Sequence, residues 1–277
     1  IIKENPDYVF VYGDTNSTLA AAIACVKLPN KLVHIEAGLR SFNKLMPEEH
    51  NRILTDHSSD LLLCPNKLAK ENLKKEGMTS GVYIVGDVMF DACKFFIKSY
   101  NIENLKKKFE WIKNKFIIAT IHRPVNTDNI KNLKSIIGAL NESKNEFVIP
   151  LHPRTEKIIK DYKSSGISGL DFNKNVRIIK PVSYIEMINL ISHAEAILTD
   201  SGGIQKEAAW LNTKCITMRD ETEWTWTLEN ERNVLVGASK EKILNEIDRL
   251  QKKSFSVGIE EEMNASEEII NIINLNE

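Results

Sequence analysis

Short hydrophobic runs alternate with amphipathic segments along almost the whole chain. Ten runs have the length and composition of buried strands: 8–13, 32–37, 61–65, 82–86, 116–121, 147–152, 176–181, 196–200, 215–219 and 233–237. Segments with apolar residues at helical spacing lie between them, at 16–27, 47–57, 66–75, 128–142, 184–193, 203–211 and 240–251. Strands that alternate with helices in this way are typical of parallel sheets with helices on both faces. The pattern predicts an α/β fold.

The number of strands also predicts how the chain is divided. Ten strands exceed what one compact doubly wound domain usually holds, and a polar, Lys-rich stretch around 100–115 separates the first four from the rest. We therefore expect two Rossmann-like domains, residues 1–98 and 99–255, followed by a C-terminal segment, 256–277, whose helix packs on the first domain. Because the chain opens on the tail of a helix and a core strand, we expect the first domain to lack its opening βα units.

Composition narrows the classes of partner. The net charge is −1, with 42% hydrophobic and 27% charged residues, which is typical of a globular protein and argues against nucleic acid as a partner. The four cysteines are isolated, without zinc or disulfide spacing. No signal peptide or stretch long enough to span a bilayer is apparent. These features predict a cytoplasmic protein with reduced thiols, no bound metal and no membrane contact.

Polar side chains follow strand after strand, where parallel sheets bind ligands. In the first half these are Asp14, Glu36 and, at the start of the next helix, Glu48. In the second half they are His122, Arg123, His152, Asp200, Ser201 and Arg219, and the glycines Gly202 and Gly203 follow Ser201. Each alone has an ordinary explanation, such as a helix cap at Asp14 or a dipole partner at Glu48. Together they predict a site in a cleft between the halves, whereas His34, inside a strand, is interpreted as a satisfied core group.

The segment "LTDSGGIQKEAAWL" (198–211) raises a specific question about this site. A strand becomes a helix across Ser201, Gly202 and Gly203, and Glu207 follows further into the helix. A bare helix N-terminus exposes unpaired N–H groups and a partial positive charge, so it can bind a phosphate, and glycine lets the phosphate approach the backbone. An ordinary connection with a serine cap explains the same residues, and these residues alone leave both interpretations open.

Six motifs carry a resemblance that covers residues 7–237. They are "VYGDTNSTLAAA", "HIEAGLRSF", "MPEEHNRILTDHSSDLLLCP", "VGDVMFDA", "IHRPVNTDN" and "LTDSGGIQKEA". In order and spacing they resemble the non-hydrolysing UDP-N-acetylglucosamine 2-epimerases. The resemblance implies a glycosyltransferase-B-like fold, two Rossmann-like domains about a cleft, and interconversion of UDP-GlcNAc and UDP-ManNAc. It further implies a homodimer that needs neither a metal nor a nicotinamide cofactor.

The same resemblance implies roles for the site residues. The family eliminates UDP to a 2-acetamidoglucal and adds it back, because the C2 proton becomes removable only as UDP leaves. The positions that match its catalytic groups are Asp14, Glu36, Glu48 and His122; those that match or adjoin its substrate-binding groups are Arg123, His152, Ser201, Gly202, Gly203, Glu207 and Arg219. Ser201 and the two glycines would bind the diphosphate, and Glu207 the ribose hydroxyls. Which carboxylate acts on which face of the sugar stays open.

Departures from the family pattern keep other functions open. The family's opening G-T-R-P-E-like loop has no counterpart here, and Trp224 stands where many bacterial members have an arginine, which implies the loss of a diphosphate donor. The sequence "RDETEW" (219–224) looks closer to archaeal members and to epimerases of UDP-2,3-diacetamido-glucuronic acid. The alternatives are therefore such a uronic acid epimerase, a hydrolysing relative that releases ManNAc, and a non-catalytic fragment that binds nucleotide sugars.

Overall fold

The computed structural model describes residues 1–99, 102–110, 115–250 and 264–276. Parts of the predicted linker and the start of the predicted last helix, at 257–263, lie outside the described residues. The chain forms two compact units: unit 1 comprises Ile1–Ala92 and Glu261–Glu277, and unit 2 comprises Cys93–Glu260. The domain boundaries expected after residues 98 and 255 stay predictions. No described helix is long and apolar enough to cross a membrane.

Unit 1 is built on a four-stranded parallel sheet. Its strands are β1 (Tyr8–Tyr12), β2 (Lys31–Ile35), β3 (Leu61–Cys64) and β4 (Val82–Ile84), in the order β1-β2-β3-β4. The helices that follow these strands are α1 (Asn16–Cys25), α2 (Pro47–Ser58), α3 (Lys67–Lys75) and α4 (Val88–Ser99). Since every connection crosses from one parallel strand to the next, all four carboxyl ends lie at one edge of the sheet.

The last helix of the chain belongs to unit 1, although all of unit 2 precedes it in the sequence. This helix, numbered α12 (Ala265–Leu275) in chain order, buries Ile269 and Ile272 in a core shared with β2 and β3. The Tyr8 hydroxyl donates to the backbone carbonyl of Asn276 at 3.0 Å. Unit 1 is therefore assembled from both ends of the described chain.

Unit 2 is built on a six-stranded parallel sheet. Its strands are β5 (Ile117–Thr120), β6 (Phe147–Pro150), β7 (Val176–Ile179), β8 (Ala196–Thr199), β9 (Lys214–Thr217) and β10 (Asn233–Leu235), in the order β10-β9-β8-β5-β6-β7. The first strand in sequence, β5, pairs with β6 on one side and β8 on the other. The order of the strands therefore reverses between β5 and β8. In doubly wound sheets, ligands bind beyond the carboxyl ends of the strands at such a point.

Helices cover both faces of this second sheet. They are α5 (Ile102–Lys108), α6 (Pro124–Thr127), α7 (Ile130–Glu142), α8 (Pro153–Ser164), α9 (Tyr184–His193), α10 (Gly202–Trp210) and α11 (Lys240–Leu250), with a 3-10 helix at Thr225–Glu231. Alternate residues of β5 enter different cores, since Ile117 packs with α7 and Ile118 packs with α9 and α10. Burial on both faces explains why the strands read as unbroken apolar runs.

All ten predicted strands and the seven predicted helices are confirmed, and no end differs by more than two residues. Four helices are missing from the prediction: α4, α5, α6 and α8. The reason is clearest for α8, which contains three lysines and two acidic residues and fully buries only Thr155 and Ile159. Its apolar residues Ile158, Ile159 and Tyr162 are few and stand among charged residues, so the segment reads as polar although these side chains pack on the core.

Candidate active site

The turn between β8 and α10 has the features of an anion-binding site. Ser201 occupies the N-cap position of α10, but among the described residues its hydroxyl accepts no capping hydrogen bond from the first turn. The amides of that turn are therefore not satisfied by the serine side chain. This geometry favours the anion-binding interpretation of the segment over an ordinary serine cap.

Three side chains converge on Gly202, the first residue of α10. A Cβ atom at this position would lie 2.6 Å from Glu223 Oε1, 3.2 Å from Trp224 Nε1 and 3.7 Å from Arg123 Nη2. Arg219 Nη2 in turn lies 2.9 Å from Glu223 Oε2. Burial disfavours the charged form of Glu223, but the guanidinium groups of Arg219 and Arg123 outweigh this effect and lower the pKa of its carboxyl. Two arginines thus lie beside the glycine turn.

Asp200 fixes the neighbouring loop that follows β5. Its buried carboxylate accepts hydrogen bonds from the backbone N–H groups of His122, at 3.1 Å, and Arg123, at 3.0 Å, and from Asn126 Nδ2 at 3.1 Å. Burial alone would raise the pKa of this carboxyl, but the contacts with His122 and Arg123 lower it. The sequence alone indicates no separate role for Asp200. Its signal was its place directly before the serine and glycines of the turn.

The two predicted histidines of unit 2 lie near each other. The ring centroids of His122 and His152 are 6.3 Å apart. His152 is exposed at the N-cap of α8, where its Nδ1 accepts from the backbone N–H of Arg154 at 3.2 Å. His122 Nδ1 lies 3.1 Å from Asp200 Oδ1. Capping explains the presence of His152 without a ligand, whereas His122 is oriented by a buried carboxylate.

Glu207 and Arg219 complete the set predicted in unit 2. Glu207 lies in α10, more than one turn after Gly202, and only 4% of its surface is exposed. Arg219 follows β9 and is also buried, in its ion pair with Glu223. With His122, Arg123, Ser201, Gly202 and Gly203, these residues lie at or just beyond the carboxyl edge of β5, β8 and β9.

In unit 1, one arginine joins two of the predicted carboxylates. Arg52 Nη2 lies 2.7 Å from Asp14 Oδ2 and 3.1 Å from Glu36 Oε1, and only 5% of its side chain is exposed. Glu36 has a φ of 72°, a conformation that L side chains rarely adopt, directly after β2. Arg52 is not among the predicted site residues. Its signal was the spacing of four residues from Glu48, which places both on one face of α2.

The adjacent carboxylates at the start of α2 have different environments. Glu49 is buried and accepts hydrogen bonds from the backbone N–H and the hydroxyl of Ser41, at 2.7 and 2.9 Å, and from the N–H of Phe42 at 3.0 Å. Glu48 is half-buried, one turn before Arg52. Glu49 therefore anchors the loop before the helix, and Glu48 is the member of the pair available for chemistry.

A buried network holds the loops that carry these carboxylates. His34 is fully buried; its Nδ1 lies 2.6 Å from Asp56 Oδ1 and its Nε2 lies 2.8 Å from the carbonyl oxygen of Gly13. Asp56 Oδ2 also accepts from Arg40 Nη1 at 2.7 Å and from the N–H of Gly38 at 3.1 Å. The interpretation of His34 as a satisfied core group is confirmed. Its contacts fix the backbone on either side of the carboxylate loops.

The fold and the α10 turn together define a class of protein. A parallel sheet whose strand order reverses beside a glycine-rich helix N-terminus is the arrangement of nucleotide-binding α/β proteins. The comparison with known sequences then makes the assignment specific: the chain belongs to the UDP-N-acetylglucosamine 2-epimerase family, whose sequence model matches residues 1–274. The resemblance inferred from the six motifs is confirmed.

Individual relatives agree with this assignment. A UDP-N-acetylglucosamine 2-epimerase homolog from Methanococcus maripaludis is 48% identical, over 92% of this chain and 71% of its own length. A UDP-2,3-diacetamido-2,3-dideoxy-D-glucuronate 2-epimerase from Pseudomonas aeruginosa is 47% identical, over 88% of this chain and 67% of its own. The crystal structure of Methanocaldococcus jannaschii UDP-GlcNAc 2-epimerase in complex with UDP-GlcNAc and UDP matches with a TM-score of 0.87 at 39% identity. That match covers 99% of this chain and 77% of the other.

Proposed function

We propose that the protein interconverts UDP-GlcNAc and UDP-ManNAc by inverting C2 of the sugar. The observation that carries this proposal is the uncapped, glycine-faced N-terminus of α10 with Arg123 and Arg219 beside it. Such a turn binds an anion, and a diphosphate is the anion that a UDP-sugar presents. The structure of the M. jannaschii relative with UDP-GlcNAc and UDP supports the choice of ligand.

In this proposal unit 2 binds the UDP group. The amides of Gly202 and Gly203 and the positive end of the α10 dipole would meet the diphosphate. Arg123 and Arg219 would stabilise the charge that grows on the diphosphate as it departs. Glu207 would accept hydrogen bonds from the two vicinal hydroxyls of the ribose, as acidic residues do in dinucleotide sites.

The carboxylates of unit 1 would transfer the protons. The C2 proton of the sugar is not next to a carbonyl carbon, so it becomes acidic only as the C1–O bond to UDP breaks. The electron pair of that bond leaves with UDP, a carboxylate takes the C2 proton, and a C1–C2 double bond forms. Protonation of C2 from the opposite face and attack of UDP on C1 complete the inversion. Asp14, Glu36 and Glu48 are the proposed proton carriers, and His122 the proposed assistant at the departing diphosphate.

The Pseudomonas relative favours a second candidate substrate, UDP-2,3-diacetamido-2,3-dideoxy-D-glucuronate. The elimination and re-addition would be the same, because the reacting C1 and C2 atoms have the same substituents. The difference is the carboxylate of the sugar, which would need an additional cation. The two substrates are therefore compared in one experiment.

Deuterium incorporation tests the proposal. Turnover of UDP-GlcNAc in D₂O should place deuterium at C2 of the UDP-ManNAc formed, because the returning proton comes from a group that exchanges with solvent. NMR and mass spectrometry follow the product, and the diacetamido-glucuronate substrate is run in parallel. Exchange with that substrate alone would select the second candidate. Free ManNAc formed in proportion to UDP would select a hydrolase, and no deuterium with either substrate would contradict the epimerase proposal.

A homodimer and a cytoplasmic location are further predictions of the sequence. Light scattering during size-exclusion chromatography measures the mass of the particle directly against the 31.5 kDa chain. A mass of twice this value, independent of dilution across the micromolar range, is the expected result.

A further inference from the structure

Trp224 lies in a defined position beside the glycine turn. The residue is 5% exposed, and its ring faces Lys206 Nζ, which lies 4.0 Å from the ring centroid. Lys206 projects from α10 four residues after Gly202 and is only 1% exposed. A desolvated ammonium group over an indole face is a strong cation–π arrangement. The contact fixes the plane of the indole relative to the turn.

The indole nitrogen of Trp224 lies beside the turn. Its Nε1 lies 3.2 Å from the point where a Cβ on Gly202 would be. Within the described part of the chain, the hydrogen bond that Trp224 donates comes from its backbone N–H, to Thr222 Oγ1 at 3.1 Å. An indole N–H is a hydrogen-bond donor that usually finds a partner in a protein or a ligand. Among the described residues no hydrogen bond from Trp224 Nε1 to protein is present, and the atom lies beside the uncapped N-terminus of α10.

We infer that Trp224 is a diphosphate-binding residue whose indole N–H donates to an oxygen of bound UDP. The inference rests on the proposed function, since it takes UDP as the ligand of the α10 turn. Lys206 has two roles in it: it holds the ring in place and, by drawing electron density toward its charge, strengthens the N–H as a donor. The replacement of arginine by Trp224 therefore removes a charge but keeps a donor, which changes the expectation drawn from the sequence.

The surrounding charges fit an uncharged donor. Glu223 Oε1 lies 2.6 Å from the same point on Gly202, so a carboxylate already shares this side of the turn. Arg219 and Arg123 lower the pKa of that carboxyl and balance its charge. A diphosphate therefore meets the arginines, the helix amides and the indole N–H together.

Calorimetry with matched tryptophan variants tests the inference. Trp224→Phe keeps an aromatic face over Lys206 and removes only the N–H. We expect it to weaken UDP binding about tenfold or more, since a hydrogen bond to a charged group is removed, and to leave uridine binding unchanged. Trp226→Phe is the control, because it is the same substitution two residues away. Trp226 stacks on Trp210, with ring centroids 6.3 Å apart. This control should bind UDP like the wild type.

A spectroscopic readout separates donation from packing. On addition of UDP, but not of uridine, the indole N–H proton of Trp224 should move downfield in a ¹H–¹⁵N spectrum. Lys206→Met should reduce that change in chemical shift and weaken UDP binding several-fold. The inference would be overturned if Trp224→Phe bound UDP as tightly as the wild type, or if the variant lost UDP binding and uridine binding equally. Deuterium exchange by the wild type would in either case leave the proposed function standing. A wild-type protein that bound no UDP would contradict the proposed function itself.

Discussion

At the scale of single residues, the contacts of a side chain separate residues that look equivalent in the sequence. Glu48 and Glu49 are neighbours in one motif, yet one is half-buried and the other accepts three hydrogen bonds from Ser41 and Phe42. Gly138 and Gly202 both lie in helices. A Cβ added at Gly138 would meet only a lysine methylene, at 3.6 Å. A Cβ added at Gly202 would meet a carboxylate oxygen at 2.6 Å.

The carboxylate pair gives a prediction about turnover and stability. Glu48→Gln cannot exchange protons at neutral pH, so it should lose turnover at least a hundredfold while UDP affinity and melting temperature stay unchanged. Glu49→Gln should destabilise the fold by about 1–3 kcal/mol, because charged acceptors are removed from buried donors. Steady-state kinetics, calorimetry and denaturant unfolding measure these effects. Wild-type turnover in Glu48→Gln would exclude Glu48 as a proton carrier.

The glycine pair gives a prediction about binding. Gly202→Ala forces Glu223 away from the turn, and the arginines and the indole are displaced with it. This variant should therefore weaken UDP binding about tenfold or more. Gly138→Ala fits its helix and should stabilise the protein by about 0.5–1 kcal/mol without an effect on UDP. Calorimetry with UDP and thermal unfolding compare the two. If both variants bound UDP equally well, the placement of the anion at this turn would be wrong.

At the scale of elements, Arg40 ties three parts of unit 1 together. Its guanidinium follows β2 and contacts Asp56 of α2 at 2.7 Å and Glu76, at the end of α3, at 2.7 and 2.8 Å. The hydrogen bond with Arg40 lowers the pKa of Glu76 from its ordinary value of 4.5, although burial acts in the opposite direction. This contact couples the position of two helices to the protonation of one carboxyl group.

The direction of this shift sets the pH range of its effect. A carboxyl whose pKa is lowered on folding stabilises the native state above the pKa of the unfolded chain, and this stability disappears as pH falls through the lowered value. The free energy of unfolding of the wild type should therefore exceed that of Glu76→Gln by about 1.5 kcal/mol at pH 7. This difference should shrink below about pH 4.5. Denaturant unfolding from pH 3 to 7 measures it. Glu71→Gln, exposed on the same helix, should show no such difference; a gap that persisted at pH 3 would contradict the assignment.

Strands and long amphipathic helices could be predicted because their apolar residues enter a core. The positions of Asp14, Glu36 and Gly202 at strand ends followed from the same pattern. The contacts of Arg52 and Trp224 could not be predicted, since they join residues far apart in sequence. Spacing placed Arg52 on the face of Glu48, but nothing in the sequence indicates that it joins Asp14 to Glu36. Likewise, the role of Trp224 depends on the closeness of its indole nitrogen to Gly202, which only the folded chain creates.

At the scale of the whole molecule, unit 1 is discontinuous in sequence. The helix α12 supplies two buried isoleucines to a core otherwise made by residues of β2, β3 and the segment after β4. Ser266 adds two hydrogen bonds to Asp91 Oδ2, at 2.7 Å from its N–H and 2.8 Å from its hydroxyl. The stability of unit 1 therefore depends on residues that lie beyond unit 2 in the chain.

This dependence can be tested on one helix. Ile272→Ala should destabilise unit 1 by about 2–5 kcal/mol, because it leaves a cavity in the core, and should leave the unfolding of unit 2 unchanged. Ile270→Ala is the control, since 60% of Ile270 is exposed, and its effect should stay within about 0.5 kcal/mol. Hydrogen exchange resolves the two units separately. Equal protection of unit 1 in both variants would show that α12 is not part of its core.

The return of α12 also sets an order of events during synthesis. A ribosome releases the strands of unit 1 first, then all of unit 2, and only afterwards the helix that covers β2 and β3. Domains generally fold as they emerge, so unit 2 can complete its sheet while unit 1 still lacks part of its core. Until translation reaches residue 275, the apolar surface of Val33 and Leu63 that α12 covers is exposed to water and to chaperones. The nascent chain thus passes through a stage in which unit 2 is finished and unit 1 is not.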